Sequence, residues 1–277
     1  MELKLKNDIV FKAFFAKKGN ERFLKSFLES LLKEKIDNIK IQGEVSLLQM
    51  NKEDKLGRLE LKATINQRKV IDIEIQLEDR KNTEKRSVYY GAKLVTEQIG
   101  KGDEYIETKP VILINILNYN LLDVPEYYTK TVTVAELHRD YEVIKDATYY
   151  FIELPKFGKS KPKLANLLEC WLALIDGENR GLIEMAESKN EIIKEANEEV
   201  EEILSESQIK ELNDYLFTAR LERNSIKGNA MREGIEKGIK RANTKIVKRL
   251  YEKNISIEQI IEITELTEEE IRKIIKQ

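Results

Sequence analysis

Between Asp54 and Glu78 the chain reads DKLGRLELKATINQRKVIDIEIQLE, and its carboxylates are the residues best placed to do chemistry. Ile71, Ile73, Ile75 and Leu77 alternate with Asp72, Glu74, Gln76 and Glu78. A period of two sends one series to each face of a β-strand, an apolar face for a core and an acidic face opposite. The preceding residues repeat the device more loosely, with Leu59, Leu61 and Ala63 against Arg58, Glu60, Lys62 and Thr64. Pairing the two strands as a hairpin across Asn66, Gln67 and Arg68 merges their polar faces and brings Glu60 near Glu74 and Gln76. Hard oxygen ligands on rigid strands suit a divalent cation such as Mg²⁺, Mn²⁺ or Ca²⁺, and Glu60, Glu74 and the backbone carbonyl of Ile75 can supply them. Such an ion activates water for phosphodiester cleavage. A sheet face that is merely solvated shows the same alternation, so periodicity defines the faces and not the ion.

These residues need elements to hold them. Asn7 or Asp8 caps a helix carrying Val10, Phe11, Phe14 and Phe15, and a second helical run spaces Phe23, Leu24, Phe27, Leu28, Leu31 and Leu32 by threes and fours. A first strand is expected within Ile39 to Met50, then the hairpin, then a helix from Asn82 to Ile99 stopped by Gly100 and Gly102. Pro110 introduces VILINILNY, whose length and β-branched content suit a buried strand. The order is helix, three strands, helix, strand. KTVTVAEL and ATYYFIEL, within residues 129–154, are further strands that extend the sheet. Pro155, Gly158 and Pro162 mark a break, which places an α/β domain over residues 1–155 and a helical region over 156–277. That region contains LANLLECWLALI, a Glu- and Lys-rich stretch, a basic helix from Met231 to Lys253 and a closing helix pair. Ser256 with Gln259 and Thr267 with Glu270 carry capping-box spacing at the two starts of that pair.

Composition bounds the function. At 277 residues the chain can bury one large core or two ordinary ones. Lys plus Arg number 48 against 50 Asp plus Glu, so any nucleic-acid contact must use a local patch. One cysteine, Cys170, excludes an intramolecular disulfide, and with one histidine, His138, zinc would be poorly served. The start MELKLKNDIVFK lacks the apolar core of a signal peptide, and no window nears the roughly 18 apolar residues of a membrane span. A cytoplasmic protein is expected, with no membrane partner.

Other residues carry two readings. Arg86, Tyr89 and Tyr90 can touch a phosphate backbone, or the rings can pack and leave Arg86 as counter-ion to the acids. Lys55 and Arg58 can steer DNA or solvate a loop. Asp8 and Glu44 can reach a metal, with capping the simpler role for Asp8. His138 reads as a surface residue and Cys170, beside Trp171, as core. The basic helix can bind phosphates or serve packing, and the C-terminal helices are a candidate homo-oligomerisation surface. Three glutamates open TEEEIRKIIK and argue against its insertion in a DNA groove.

In order and wording, DIVFKAFF, DKLGRLELKAT, IDIEIQ, RSVYYGAKL, KPVILINIL and FIELPKF resemble the recombination-promoting nuclease (transposase) family of the PD-(D/E)XK superfamily. The resemblance runs from about Asn7 to Trp171. It implies a restriction-endonuclease-like core, α-β-β-β-α-β with a mixed central sheet flanked by helices, and a helical C-terminal region. It further implies a divalent-metal-dependent DNA endonuclease acting in recombination or mobile-element biology. Glu60 then takes the metal-binding position before the turn, and Glu74 and Gln76 form the E-x-Q variant of (D/E)-x-K. Two departures stand out. Glu60 is one methylene longer than the usual aspartate, and Gln76 cannot supply the cation that lysine supplies. Lys62, on the same strand face as Glu60, can replace that cation from one strand over. The alternative is a nuclease fold with weakened chemistry, kept as a DNA-binding or regulatory, oligomeric module.

Overall fold

The computed structural model describes residues 3–42 and 61–275, with the side chains of some positions between 208 and 227 left aside. Helices α1 (Asp8–Phe15) and α2 (Glu21–Leu32) come first, then strands β1 (Ile39–Gln42), β2 (Leu61–Ile65) and β3 (Lys69–Gln76). Helix α3 (Thr83–Thr96) leads through a 3₁₀ turn to β4 (Val111–Leu117), and β5 (Tyr128–Lys130), β6 (Thr133–Ala135), β7 (His138–Ile144) and β8 (Ala147–Glu153) follow. Helices α4 (Leu154–Lys159), α5 (Leu167–Asp176), α6 (Arg180–Lys189), α7 (Glu191–Ser205), α8 (Ser207–Glu252), α9 (Ile257–Thr264) and α10 (Glu268–Ile275) complete the described chain.

Six strands form one mixed sheet in the order β1-β2-β3-β4-β8-β5. β1, β2 and β3 are antiparallel to one another in turn, β4 lies parallel to both β3 and β8, and β5 returns antiparallel on β8. The fold is therefore α/β with a mixed central sheet flanked by helices and a helical C-terminal region. β8 extends the sheet as the sequence suggests, but KTVTVAEL gives only Lys130 to β5 at the sheet's edge and otherwise falls on β6, which pairs with β7, beginning at His138, as a separate two-stranded ribbon. The β2–β3 turn is set by Asn66 and Gln67, whose φ angles of 49° and 56° are the positive values a type I′ turn needs at both central positions. Asn66 Oδ1 also accepts the backbone N–H of Asp37 at 2.8 Å, tying the turn to the entry of β1.

The two sheet faces differ in what covers them. Ile71 and Ile73 share their face with Ile112, Ile114 and Ile116 of β4, Ile152 of β8 and Leu61, Ala63 and Ile65 of β2, all buried. Helices α1, α2 and α5 pack around an aromatic group in which Phe14 stacks on Phe23 at 5.2 Å, and Phe15 and Phe27 lie 6.0 and 6.3 Å from Trp171. Trp171 is fully buried and satisfies its indole N–H on Ser26 Oγ at 3.0 Å. On the opposite face α3 lies over β3 and β4, where Tyr90 and Leu94 pack on Val70, Val111 and Leu113.

Contacts divide the chain into a unit over Met1–Asn213 and another over Asp214–Gln277. The first reaches well past residue 155, because α5, α6 and α7 pack on one another and on α1 and α2. A break at Pro155 and Gly158 ends the sheet without ending the core. In the second unit, Val247 of α8 closes with Ile260 of α9 and Ile271 of α10 into a small separate core. Both capping boxes of the closing pair form, with Ser256 and Gln259 reciprocating at α9 and Thr267 and Glu270 at α10.

Candidate functional site

The strand that carries the E-x-Q pair is buried on both faces. Asp72, Glu74 and Gln76 are 2%, 6% and 7% exposed, so the polar series of β3 is no solvated sheet surface. α3 covers it, and its inward stripe reads Thr83, Ser87, Tyr90, Gly91 and Leu94, spaced by threes and fours as one helix face requires. The apolar end of that stripe meets the apolar start of β3 and β4, and its polar end meets Glu74 and Gln76. Gly91 permits the close approach, since a Cβ there would stand 2.6 Å from Tyr149 Oη and 3.2 Å from Leu113 Cδ1.

A buried carboxylate needs a partner, and Glu74 has a cation. Arg86 Nη2 donates to Oε1 and Oε2 of Glu74 at 3.2 Å each. Gln76 Nε2 reaches Glu74 Oε2 at 3.4 Å. The amide of Gln76 is oriented from behind, because its Oε1 lies 3.0 Å from Tyr119 Oη and 3.3 Å from Thr83 Oγ1. The two hydroxyls are 2.6 Å apart, so with one proton each, one bonds the other and the remaining proton is donated to Gln76 Oε1. Burial raises the Tyr119 hydroxyl above the usual tyrosine range, which keeps it a neutral donor. Gln76 thus turns its nitrogen toward Glu74 and its oxygen away, which makes it a donor in the site.

Beside Glu74 in the parallel register sits Asn115, the polar residue within VILINIL. Its Oδ1 accepts from Ser87 Oγ at 2.9 Å and its Nδ2 donates to the Tyr150 carbonyl at 3.2 Å, so the amide bridges α3, β4 and β8. An asparagine inside an otherwise apolar run was the available signal for it. Tyr119 carries no such signal, since nothing local says that a hydroxyl 43 positions away will meet Gln76.

The remaining sequence candidates separate. Tyr90 is buried under Arg86, whose guanidinium carbon lies 5.5 Å from the ring centre, so Tyr90 faces the core and Tyr89 faces solvent. Lys62 faces Asp72 across the β2–β3 pair and bonds Glu97 at 3.3 Å. Ile75 is half-buried on β3 with the Ile face. Asn7 is the cap of α1, accepting from the Ile9 N–H at 3.0 Å, and Asp8 Oδ1 meets the same N–H at 3.1 Å. His138 is exposed, and Cys170 is fully buried with its thiol pushed up by burial. Glu44, Lys55, Arg58 and Glu60 lie outside the described residues.

Among the described residues no group of three His, Cys, Asp or Glu side chains is arranged to hold a metal ion. The donor chemistry around Glu74 nevertheless suits a hard cation, because a buried carboxylate already holds a positive group against both oxygens. Among the described residues no helix is long and apolar enough to cross a membrane.

Comparison with known families matches residues 5–229 to the family described as PD-(D/E)XK nuclease family transposase. No curated protein and no solved structure matches the chain.

Proposed function

The chain belongs to the PD-(D/E)XK nuclease family of transposases, and on that premise we propose that it is a divalent-metal-dependent DNA endonuclease that hydrolyses phosphodiester bonds. The observation that carries the reading is the buried Glu74–Gln76 pair on β3, its carboxylate facing a cation and its amide locked by Thr83 and Tyr119. Glu74, with Glu60 and the backbone carbonyl of Ile75, would hold Mg²⁺, Mn²⁺ or Ca²⁺ through hard oxygens. Bound there, the ion supplies a Lewis acid for the phosphoryl oxygen and lowers the pKa of the attacking water.

The protein's own groups do the positioning. Gln76 presents an N–H beside Glu74, able to orient the attacking water, and Lys62 is the second candidate for that role. Arg86 and Arg58 serve as contacts for the phosphate backbone, with Tyr90 as the packed support under Arg86. A cytoplasmic setting and a role in recombination or mobile-element biology accord with this activity.

Plasmid nicking with and without Mg²⁺, wild type against Glu74→Ala, tests the reading. Metal-dependent nicking is expected to vanish in the variant while its fold persists; equal nicking by both proteins sinks the assignment. A second reading, a nuclease fold retained as a DNA-binding or regulatory, oligomeric module, draws on the arginine that holds both oxygens of Glu74. It requires that Mn²⁺ fail to bind at Glu74, which titration calorimetry measures directly.

A further inference from the structure

Arg86 stands where an ion on Glu74 would need room. Its Nη2 is 3.2 Å from each carboxylate oxygen, and a divalent cation added to that carboxylate would lie within a few ångströms of the guanidinium. In a site this buried, repulsion between the two charges exceeds what one charge-assisted hydrogen bond returns. The guanidinium and the metal therefore compete for the same oxygens.

The surroundings allow the arginine to leave and give it a reason to. The side chain of Arg86 is 28% exposed against 7% for that of Glu74, so the guanidinium spans from the buried acid toward solvent. Its Nε is buried and finds no hydrogen-bond acceptor among the described residues. A planar fork with an unused donor is matched to the paired oxygens of a phosphate. When the arginine withdraws, Gln76 Nε2 still holds Glu74 Oε2, and Thr83 and Tyr119 still hold Gln76, so the carboxylate keeps its place.

We propose that Arg86 is an exchange latch: it pairs with Glu74 in the metal-free protein, yields that carboxylate to the divalent cation, and turns its fork onto a phosphate oxygen of the DNA backbone. The inference rests on the reading of Glu74 as a metal ligand. It explains how a site whose E-x-Q pair lacks the lysine can keep a cation beside Glu74 before metal arrives and beside the substrate afterwards. The empty site is thereby protected from an unpaired buried charge.

Removing a positive charge from beside a metal site should tighten metal binding, whereas removing a support should loosen it. Full-length wild type, Arg86→Gln and Arg86→Lys are titrated with Mn²⁺ by calorimetry at pH 8 and assayed for Mg²⁺-dependent nicking. Arg86→Gln, which can still donate to Glu74, is expected to bind Mn²⁺ about tenfold more tightly and to nick about 100-fold more slowly. Arg86→Lys keeps the charge, so its Mn²⁺ affinity should stay near wild type while nicking falls, because an ammonium cannot reproduce the fork. Looser or unchanged Mn²⁺ binding in Arg86→Gln, with Trp171 fluorescence reporting a folded protein, overturns the latch. If Arg86→Gln does not fold, a nicking rate for Arg86→Lys equal to wild type overturns it instead. Glu74→Gln separates the levels: retention of full Mn²⁺ affinity in that variant overturns the metal assignment itself, whereas its loss alongside an unchanged Arg86→Gln overturns the latch alone.

Discussion

The resemblance places Gln76 where the superfamily pattern has lysine, so Gln76→Lys looks from sequence like a repair. The structure makes the opposite expectation quantitative. Gln76 is 7% exposed, and its Oε1 lies 3.0 Å from Tyr119 Oη and 3.3 Å from Thr83 Oγ1, a pair of hydroxyls that donates one proton to it and shares the other between them. Lysine accepts no hydrogen bond. Thr83 and Tyr119 would retain the 2.6 Å bond between them, but one hydroxyl proton would lose its buried acceptor, a cost of about 1–3 kcal/mol. The new ammonium would gain Glu74 and meet Arg86, which already holds both of that carboxylate's oxygens, so attraction and desolvation roughly cancel. A net loss of about 2 kcal/mol follows, and at about 2–4 °C per kcal/mol for a unit of this size the melting temperature should fall by about 4–8 °C. Trp171 is the chain's one tryptophan and is fully buried in the unit that holds the site, so a fluorescence melt reads that unit. Mg²⁺-dependent nicking measured beside it should also drop. A melting temperature equal to wild type together with faster nicking would refute the reasoning, because Gln76 would then be a weakened lysine and Arg86 no substitute for it.

Two further outcomes follow from the packing around the same sheet. Gly91→Leu drives a side chain into Tyr149 and Leu113, where even a Cβ would be 2.6 and 3.2 Å away, and should lift α3 from β4. Overpacking of about 1–3 kcal/mol or more should appear as a lower urea midpoint by Trp171 fluorescence, with nicking reduced as Arg86 shifts from Glu74; an unchanged midpoint would show that α3 does not press on the sheet. The Tyr127 hydroxyl is pushed up from 10.0 to about 12, first by burial and then by the nearby Glu169 carboxylate. A raised folded-state value means that its contribution is complete below pH 10 and is lost as pH climbs toward 12. Tyr127→Phe should therefore flatten the alkaline loss of stability in this window, measured by denaturation at a series of pH values, and a slope identical to wild type would exclude Tyr127 as its source.

Much of the frame is a local property of the chain. Alternation at Ile71 to Gln76 assigns residues to the two faces of β3, the continuous run VILINIL marks β4 as buried, and Ser256 and Thr267 mark the starts of α9 and α10. These signals are legible because a two-residue or 3.6-residue period and a capping box involve neighbours only. The position of the sheet's last strands and the end of the first unit were less legible. β8 and β5 join the sheet while β6 and β7 leave it, and α5 to α7 stay with the first core, because long-range packing rather than local composition decides which surfaces meet.

The site divides along the same line. Sequence alone singles out Glu60, Glu74, Gln76 and Arg86 by residue type, spacing and family wording, and leaves open whether the acidic face of β3 meets water or protein. Tertiary structure decides that α3 covers it, that Arg86 takes both oxygens of Glu74, and that Gln76 points its nitrogen inward because Thr83 and Tyr119 hold its oxygen. Spacing along the chain tells which face a side chain leaves from; its charge partner, burial and hydrogen bonds depend on segments brought alongside by the fold, and on those depends whether a carboxylate is a solvating group or a site.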